Sequence, residues 1–190
     1  RYTSYPTADR FVEAFTETDY LQALEQRRAG SMALPLSLYV HIPFCESVCY
    51  YCACNKVITR HHERAAPYIA ALGTEIALIV DAIGAQRSVA QLHLGGGSPT
   101  FLSDAEISSL MRKLRRAFFL QADAEISIEV DPRTVTAARL AHLRTQGFNR
   151  ISFGVQDFDP AVQQAVHRVQ PFESVRDLLR EARALGFSSI

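Results

Sequence analysis

Short stretches in which apolar and polar residues alternate occur four times along the chain, and longer stretches with a helical pattern separate them. Alternation with period two predicts strands, and apolar residues recurring every three to four positions predict helices. The predicted strands are 36–42, 89–94, 125–131 and 150–155. The predicted helices lie near 17–29, 63–84, 104–119, 135–146 and 172–185. Ser103, followed three residues later by Glu106, is typical of the capping box that begins a helix.

The regular succession of strand and helix determines the predicted fold class. It indicates an α/β protein with a parallel sheet and right-handed crossovers. Four strands cannot close a barrel, and residues 188–190 stand where a fifth strand would begin. We therefore expect a parallel (βα) partial TIM-like barrel, truncated after about four βα units. Residues 36–190 would form this core, and residues 1–35 would be an N-terminal segment that packs on it.

Each predicted strand has one polar face, whereas a parallel strand covered on both sides is apolar almost throughout. The residues of these polar faces are Tyr39, His41, Gln91, His93, Ser127, Glu129, Ser152, Gly154 and Gln156. We expect the apolar faces to contact the helices and the polar faces to line a ligand-filled interior. An open antiparallel sheet with one wet face would alternate in the same way, but the long intervening helices argue against it.

The segments with unusual chemistry all follow the carboxyl ends of predicted strands, where barrels of this kind build their active sites. They are the cysteine-bearing loop at 45–54, the glycine run 95–97 with Ser98, the segment 129–132 and the segment 154–157. Convergence of four candidates on one rim is stronger evidence than any one of them.

Composition and charge exclude several classes of protein. The 190 residues are 48% hydrophobic, and 20 basic residues balance 20 acidic ones, which argues against a broad surface for nucleic acid or anionic membrane. No run of apolar residues approaches the roughly 18 that a membrane span needs. We see no secretory leader after Arg1. The sequence therefore predicts a cytoplasmic protein without a nucleic-acid or membrane partner.

The four cysteines lie within ten residues, at Cys45, Cys49, Cys52 and Cys54. Disulfide scaffolds spread their cysteines along the chain, so the cluster indicates metal ligands in a reducing compartment. Three thiolates on a four-iron cluster leave one iron open for chemistry. Cys54 could be a fourth ligand, although its short separation from Cys52 makes this awkward. Zinc is the alternative, but structural zinc usually takes two separated pairs of ligands.

The spacing C-x3-C-x2-C after the first strand of a βα barrel resembles the radical S-adenosylmethionine (SAM) enzymes. The segments YVHIPFC, GGGSPT, EISIEVDP, FGVQDF and the opening RYTSYPTA resemble one branch, the oxygen-independent coproporphyrinogen III oxidases. This resemblance covers essentially the whole chain in the same order. Cys52-Ala53-Cys54 is similar to the true oxidases, since the related haem chaperones typically carry Phe at the place of Cys54.

The resemblance implies a set of cofactor-binding residues. Cys45, Cys49 and Cys52 would hold a [4Fe-4S] cluster without Cys54, and SAM would chelate the open iron. The residues implied at the first SAM are Tyr39, Gly96 and Glu129. Those implied at a second SAM are Tyr51, Gly97, Ser98, Gln156 and Arg168, of which Tyr51 replaces the family's usual Phe and Ser98 its usual Thr.

The resemblance also implies an activity, that of an oxidoreductase in anaerobic haem synthesis. Two propionates of coproporphyrinogen III would be oxidatively decarboxylated to vinyl groups, giving protoporphyrinogen IX. A radical from reductive cleavage of SAM would abstract the hydrogen, and the electron donor would be a flavodoxin- or ferredoxin-type protein. We expect a monomer. Two alternatives stay open at this point, a haem chaperone of the same branch and a non-enzymatic zinc or thiol module.

Overall fold

Strands and helices alternate along residues 8–30 and 34–190, which are the residues that the computed structural model describes. The helices are α1 Glu17–Ala29, α2 Ala65–Ile83, α3 Asp104–Ala117, α4 Ala137–Thr145, α5 Pro160–Ala165 and α6 Phe172–Ala184. The strands are β1 Leu36–Ile42, β2 Phe44–Cys45, β3 Val57–Ile58, β4 Ser88–Gly96, β5 Phe119–Val130 and β6 Arg150–Phe153. Single helical turns lie at Ala8–Arg10, His62–Arg64 and Pro99–Phe101.

The main sheet has four parallel strands in the order β1-β4-β5-β6. Ser189 adds a parallel bridge to Arg150, and the amide of Ile151 donates to the carbonyl oxygen of Ser189 at 3.1 Å. A fifth parallel segment therefore begins beside β6. The predicted class, a parallel α/β partial barrel, is confirmed.

The core lies between the apolar face of this sheet and the helices. On α3, the residues Ile107, Leu110, Met111 and Leu114 are fully buried at the spacing of one helical face. Burial of each such side chain contributes about 1.5–3 kcal/mol. The capping box predicted for this helix is present, because the amide of Ser103 donates to the carboxylate of Glu106 at 2.8 Å and its hydroxyl accepts from the Glu106 amide.

The structure differs from the prediction most in the bounds of β5 and β6 and in three short elements that were not predicted. Strand β5 begins at Phe119 rather than 125, because Phe119 and Leu120 pair with Ser88 and Val89 before the register shifts. Strand β6 ends at Phe153 rather than 155. Strands β2 and β3 and helix α5 were not predicted, since elements of two to six residues are too short to show a period.

Helix α2 is an exception to the expectation that no apolar stretch approaches the length of a membrane span. The helical stretch His62–Ile83 is long and apolar enough by length and composition, with a mean hydropathy of 1.5. Its buried residues Ala65, Ile69 and Ile83 belong to the hydrophobic core beside the sheet. Only 11% of its apolar window is buried, and a single helix of this kind is weak evidence for a membrane.

Helix α1 lies against the end of α2, where the guanidinium of Arg27 donates to the carbonyl oxygen of Gln86 at 3.2 Å. The Gln86 side chain donates in return to the carbonyl oxygen of Arg28 at 3.3 Å. The segment RYTSYPT at 1–7 lies outside the described residues. Packing of the whole segment 1–35 on the barrel stays a prediction.

Candidate functional site

The carboxyl ends of the four parallel strands surround a cavity of about 520 Å³. Four chain segments line it, each following a different strand of the main sheet, as the rim argument predicted. The lining residues that carry the site are Cys45, Cys49, Tyr51, Cys52, Gly96, Gly97, Ser98, Glu129, Asp131, Arg133, Gly154, Gln156 and Arg168. All the predicted site residues except Tyr39 are therefore brought together.

The cysteine loop, residues 45–54, is closed at its base by the small parallel ladder of β2 and β3. Cys45 pairs with Ile58, and the amide of Thr59 donates to the carbonyl oxygen of Cys45 at 2.8 Å. The amide of Val57 donates to the carbonyl oxygen of Pro43 at 2.8 Å. The ladder places the chain after the cysteine loop beside the chain before it, next to the end of β1. The thiols therefore project from a loop whose two ends are both fixed.

The turn at 166–168, which follows α5, contacts the same loop. The amide of Tyr50 donates to the carbonyl oxygen of Val166 at 3.1 Å, and His167 Nδ1 lies 2.8 Å from the carbonyl oxygen of Val48. The rings of Tyr50 and His167 stack with centroids 5.2 Å apart. His167 has a φ of 56°, which is uncommon for a residue other than glycine. The cysteine loop is thus held by the fourth βα unit as well as by its own base.

All four cysteines are free thiols, and the pKa is raised at two of them, Cys45 and Cys54. The pKa of Cys45 is raised to about 11, because burial disfavours its thiolate and the neighbouring Cys52 and Cys49 add negative charge. Burial and a hydrogen bond with Cys52 also raise the pKa of the exposed Cys54. A cationic metal centre deprotonates the thiols that coordinate it, and its positive charge then stabilises the thiolates. Thiols crowded into one cavity are therefore suited to binding such a centre.

The donor set fits the implied iron–sulfur cluster in its chemistry. Cys45, Cys49 and Cys52 all line the cavity, and thiolates are the ligands that such clusters take. Within residues 8–30 and 34–190, no group of three His, Cys, Asp or Glu side chains is arranged to hold a single metal ion. In a four-iron cluster, by contrast, each thiolate binds its own iron.

Two arginines and one aspartate form the charged wall of the cavity. Arg168 donates to the carbonyl oxygen of Gly154 at 2.8 Å and to the hydroxyl of Tyr51 at 3.1 Å. Burial alone would raise the pKa of Asp131, but hydrogen bonds from Arg133 and the positive charge of Arg168 hold it below its ordinary value. The Asp131 carboxylate is therefore ionised and fixed between the guanidinium groups.

A chain of hydrogen bonds follows the polar face of the sheet up to Glu129. His93 Nδ1 lies 2.7 Å from the hydroxyl of Ser127, and His93 Nε2 lies 3.4 Å from Glu129 Oε1. The amide of Gly96 donates to Glu129 Oε2 at 3.1 Å. The carboxylate of Glu129 is thus oriented from two sides while it still borders the cavity.

Tyr39 lies outside the cavity lining, although it is on the expected polar face. Its ring stacks on His93 with centroids 5.8 Å apart, and its hydroxyl lies 3.1 Å from His41 Nδ1. Burial and the charge of Glu129 raise the pKa of Tyr39. Tyr39 is connected to the cavity through His93 and Glu129.

The glycine run allows the end of β4 to approach the cysteine loop closely. Gly96 has a φ of +114°, and a Cβ atom there would lie 2.7 Å from the His41 ring. A Cβ atom on Gly97 would lie 2.6 Å from the carbonyl oxygen of Pro43. Only glycine fits at both positions. Because these residues have no side chain, their backbone groups can border the cavity.

Sequence reasoning missed Asp131, Arg133 and His167 as residues of the site. Asp131 lies in the segment 129–132 that the rim argument singled out, and Arg133 follows it by two residues. That adjacency was the available signal for both. His167 carried no such signal, because its positive φ and its contact with the cysteine loop depend on tertiary structure.

Comparison with known proteins gives consistent similarities. Residues 39–190 match the radical SAM superfamily. The chain is 53% identical over 189 residues to an oxygen-independent coproporphyrinogen III oxidase of Escherichia coli K12, covering 100% of this chain and 40% of that protein. The enzyme of the same name from Pseudomonas aeruginosa is 50% identical over 193 residues, with 100% and 41% covered.

A solved structure of the Escherichia coli coproporphyrinogen III oxidase, described as a radical SAM enzyme, superposes with a TM-score of 0.90. The sequence identity is 51%, and the match covers 99% of this chain and 42% of that one. The chain thus spans about two fifths of the length of the relatives it matches.

Proposed function

Because the chain belongs to the radical SAM superfamily, we propose that it is the part of an oxygen-independent coproporphyrinogen III oxidase that binds the iron–sulfur cluster and SAM. The whole protein would convert coproporphyrinogen III to protoporphyrinogen IX. The observation that carries this proposal is the shared cavity. Three cysteine thiols, an oriented glutamate and two arginines border one space at the carboxyl ends of four parallel strands.

Cys45, Cys49 and Cys52 would hold a [4Fe-4S] cluster and leave one iron open to SAM. Cys54 is exposed, and it would stay outside the cluster. The loop that carries these thiols is fixed at its base by β2 and β3 and at its tip by the turn 166–168. A loop held in this way needs little reordering when the cluster binds, which favours tight binding.

Glu129 and the glycine run suit the first SAM molecule. A carboxylate accepts hydrogen bonds from the vicinal hydroxyls of a ribose, and Glu129 is oriented for this by Gly96 and His93. Gly96 brings backbone polar groups to the cavity surface, where they would contact the amino-acid end of SAM. Tyr39 would act beside them through its stacking on His93.

A second SAM molecule would lie on the side of the cavity bordered by the first, second and fourth βα units. Its proposed contacts, all in the cavity lining, are Tyr51, Gly97, Ser98, Gln156 and Arg168. Arg168 is a planar cation that can pair with a carboxylate in two hydrogen bonds. Its bonds to Tyr51 and Gly154 hold the guanidinium at the cavity wall.

The reaction is an oxidative decarboxylation that occurs at two propionates. With the cluster and SAM bound, the site supplies a radical that takes one β-hydrogen atom from a propionate. The substrate then loses CO2 and one electron to a one-electron acceptor, and a vinyl group remains. The residues of the chain position and shield this chemistry. The proposal includes a monomer in the cytoplasm that receives electrons from a flavodoxin- or ferredoxin-type protein.

Anaerobic reconstitution with iron and sulfide tests the cofactor assignment. We expect about four irons per chain, since a [4Fe-4S] cluster contains four. The electron paramagnetic resonance spectrum of the reduced protein should change when SAM is added. Cys49→Ala should abolish both results, whereas the matched variant Cys54→Ala should keep the iron. Binding of one zinc per chain instead, or a cluster whose spectrum ignores SAM, contradicts the proposal.

Anaerobic incubation of the whole protein with coproporphyrinogen III, SAM and a reductant tests the substrate. The expected products are CO2 and porphyrinogens with one and then two vinyl groups, identified by mass spectrometry. Tight haem binding without release of CO2 would instead indicate a haem chaperone.

A further inference from the structure

The Asp131 carboxylate is held by two arginines in a largely buried network. Arg133 Nη2 lies 2.6 Å from Asp131 Oδ2, and Arg133 Nε lies 3.0 Å from Asp131 Oδ1. Arg168 Nη2 approaches the same carboxylate at 3.5 Å. The side chains of Asp131 and Arg168 are 11% exposed and that of Arg133 is 23% exposed. Their positions are therefore set by one another rather than by solvent.

Both guanidinium groups extend beyond Asp131 to one sulfur atom. Arg133 Nη2 donates to Cys49 Sγ at 3.6 Å, and Arg168 Nη1 donates to the same sulfur at 3.6 Å. Cys49 is the most buried cysteine of the loop, with 8% of its surface exposed. Two cations thus contact one proposed cluster ligand, and one carboxylate holds both cations.

Arg133 differs from Arg168 in how it is used. Arg168 also bonds to Tyr51 and Gly154, and we have proposed that it contacts SAM. Within the described residues, the guanidinium of Arg133 bonds to Asp131 and to Cys49. Asp131 therefore fixes the position of the Arg133 guanidinium, and Cys49 is the group on which this guanidinium can act.

Hydrogen bonds to the sulfur ligands of an iron–sulfur cluster help to set its reduction potential. Reduction adds an electron, so a nearby positive charge and an N–H donor stabilise the reduced form and raise the potential. The low solvent exposure of Cys49 and Arg133 strengthens this effect, because charges interact more strongly away from water.

We propose that Arg133 is a positioning residue that orients the Cys49 sulfur toward the cavity and raises the reduction potential of the cluster bound there. Asp131 fixes the direction of Arg133 and offsets part of its charge. The inference rests on the proposed cluster at Cys45, Cys49 and Cys52. It assigns the segment after β5 a part in the electron-transfer step.

The test is a redox titration of the reconstituted chain, followed by electron paramagnetic resonance. Arg133→Gln should lower the midpoint potential of the cluster. Arg133→Lys should lie between that variant and the wild type, since lysine keeps the charge but loses the planar fork. Asp131→Asn should shift the potential upward, because asparagine keeps an oxygen that accepts a hydrogen bond from Arg133 but removes the offsetting negative charge. A loosened loop would not produce shifts of opposite sign at Arg133 and Asp131.

Arg139→Gln is the matched control, because Arg139 is a similarly buried arginine that pairs with Asp104 and does not line the cluster cavity. We expect it to keep the wild-type potential. Equal potentials in the wild type and both Arg133 variants, or shifts of the same sign at Arg133 and Asp131, would overturn the inference. If Arg133→Gln takes up no iron, Arg133→Lys decides. If the wild type itself takes up no cluster, the proposed function fails and not this inference alone.

Discussion

The amide of Gly97 donates to the carbonyl oxygen of Ile42 at 2.8 Å, and this bond joins the end of β4 to the end of β1, shortly before the cysteine loop. A Cβ atom on Gly97 would lie 2.6 Å from the carbonyl oxygen of Pro43, a backbone atom that cannot rotate away. We expect Gly97→Ala to lower the free energy of unfolding by about 1–3 kcal/mol, as overpacking usually does. Urea denaturation of the metal-free chain measures this change.

Gly73→Ala is the matched control for this substitution. Gly73 lies inside α2, and its nearest neighbour for an added Cβ atom is the flexible end of Lys113 at 3.4 Å. Alanine in a helix interior is more stable than glycine by roughly 0.5–1 kcal/mol. We therefore expect Gly73→Ala to stabilise the chain. If Gly97→Ala and Gly73→Ala changed the free energy of unfolding in the same way, the close approach at Gly97 would not be the cause of the change.

Removing the imidazole of His167 should weaken the hold of the turn 166–168 on the cysteine loop. The ring contacts the carbonyl oxygen of Val48 and stacks on Tyr50, and each contact is worth about 1 kcal/mol. We expect His167→Ala and His167→Gly to lose iron to a chelator roughly tenfold faster than the wild-type holoprotein. The loss is followed by the visible absorption of the cluster.

The pair of His167 variants separates the ring from the backbone. Alanine carries the strain of the positive φ that histidine already bears, whereas glycine adopts a φ of 56° without strain. Fast iron loss from both variants supports the ring contacts, and wild-type behaviour of His167→Ala would contradict them. His61→Ala, at an exposed histidine that pairs with Glu63, should leave the rate unchanged.

Glu129→Gln should weaken SAM binding while leaving the cluster in place. The amide keeps the shape of the carboxylate but loses its charge, and hydrogen bonds to charged groups are worth about 1.5–3 kcal/mol. We expect the SAM concentration that produces half of the change in the electron paramagnetic resonance spectrum to be at least tenfold higher in Glu129→Gln than in the wild type. Glu125→Gln, on the same strand but paired with Arg150, is the control. A spectral titration unchanged by Glu129→Gln would remove Glu129 from the SAM site.

Tyr68 gives a prediction for the pH dependence of stability. Its hydroxyl donates to the carbonyl oxygen of His41 at 2.5 Å, and burial with the charge of Glu75 raises its pKa above 10.0. Because the folded pKa exceeds the unfolded one, the stabilisation is complete below about pH 10 and is lost as the pH rises through the folded pKa.

Tyr68→Phe should therefore cost about 1 kcal/mol at neutral pH. It should also flatten the decline of stability above pH 10, as measured by urea denaturation at a series of pH values. A decline as steep as that of the wild type would mean that the ionisation of Tyr68 is not coupled to folding.

The strands were predictable where their alternation is regular. Leu92, Leu94 and Ile128 are fully buried, whereas Glu129 borders the cavity, as their positions in the pattern require. The early start of β5 lay within the same pattern, because apolar and polar residues alternate from Leu120 to Val130, although the prediction began the strand at 125. The register shift that separates the pairs of Phe119 and Leu120 from the later pairs depends on β4, and the sequence of β5 does not show it.

The site was predictable to the extent that it follows from local sequence. Cysteine spacing and the ends of strands brought the thiols, Gly96, Glu129 and Gln156 to one rim. The approach of Arg133 and Arg168 to Cys49 depends on side chains that meet across 84 and 119 positions. A pattern read along one strand or one loop contains no information about such distances.

The contact between the cysteine loop and the turn 166–168 also imposes an order on biosynthesis. Val48 leaves the ribosome 119 residues before His167, and synthesis at about 5–20 residues per second makes this interval on the order of ten seconds. During that interval the nascent thiols lack both Arg168 and the turn that fixes the tip of their loop. Delivery of iron and sulfide to the finished fold, rather than to the emerging chain, is the order that this architecture favours.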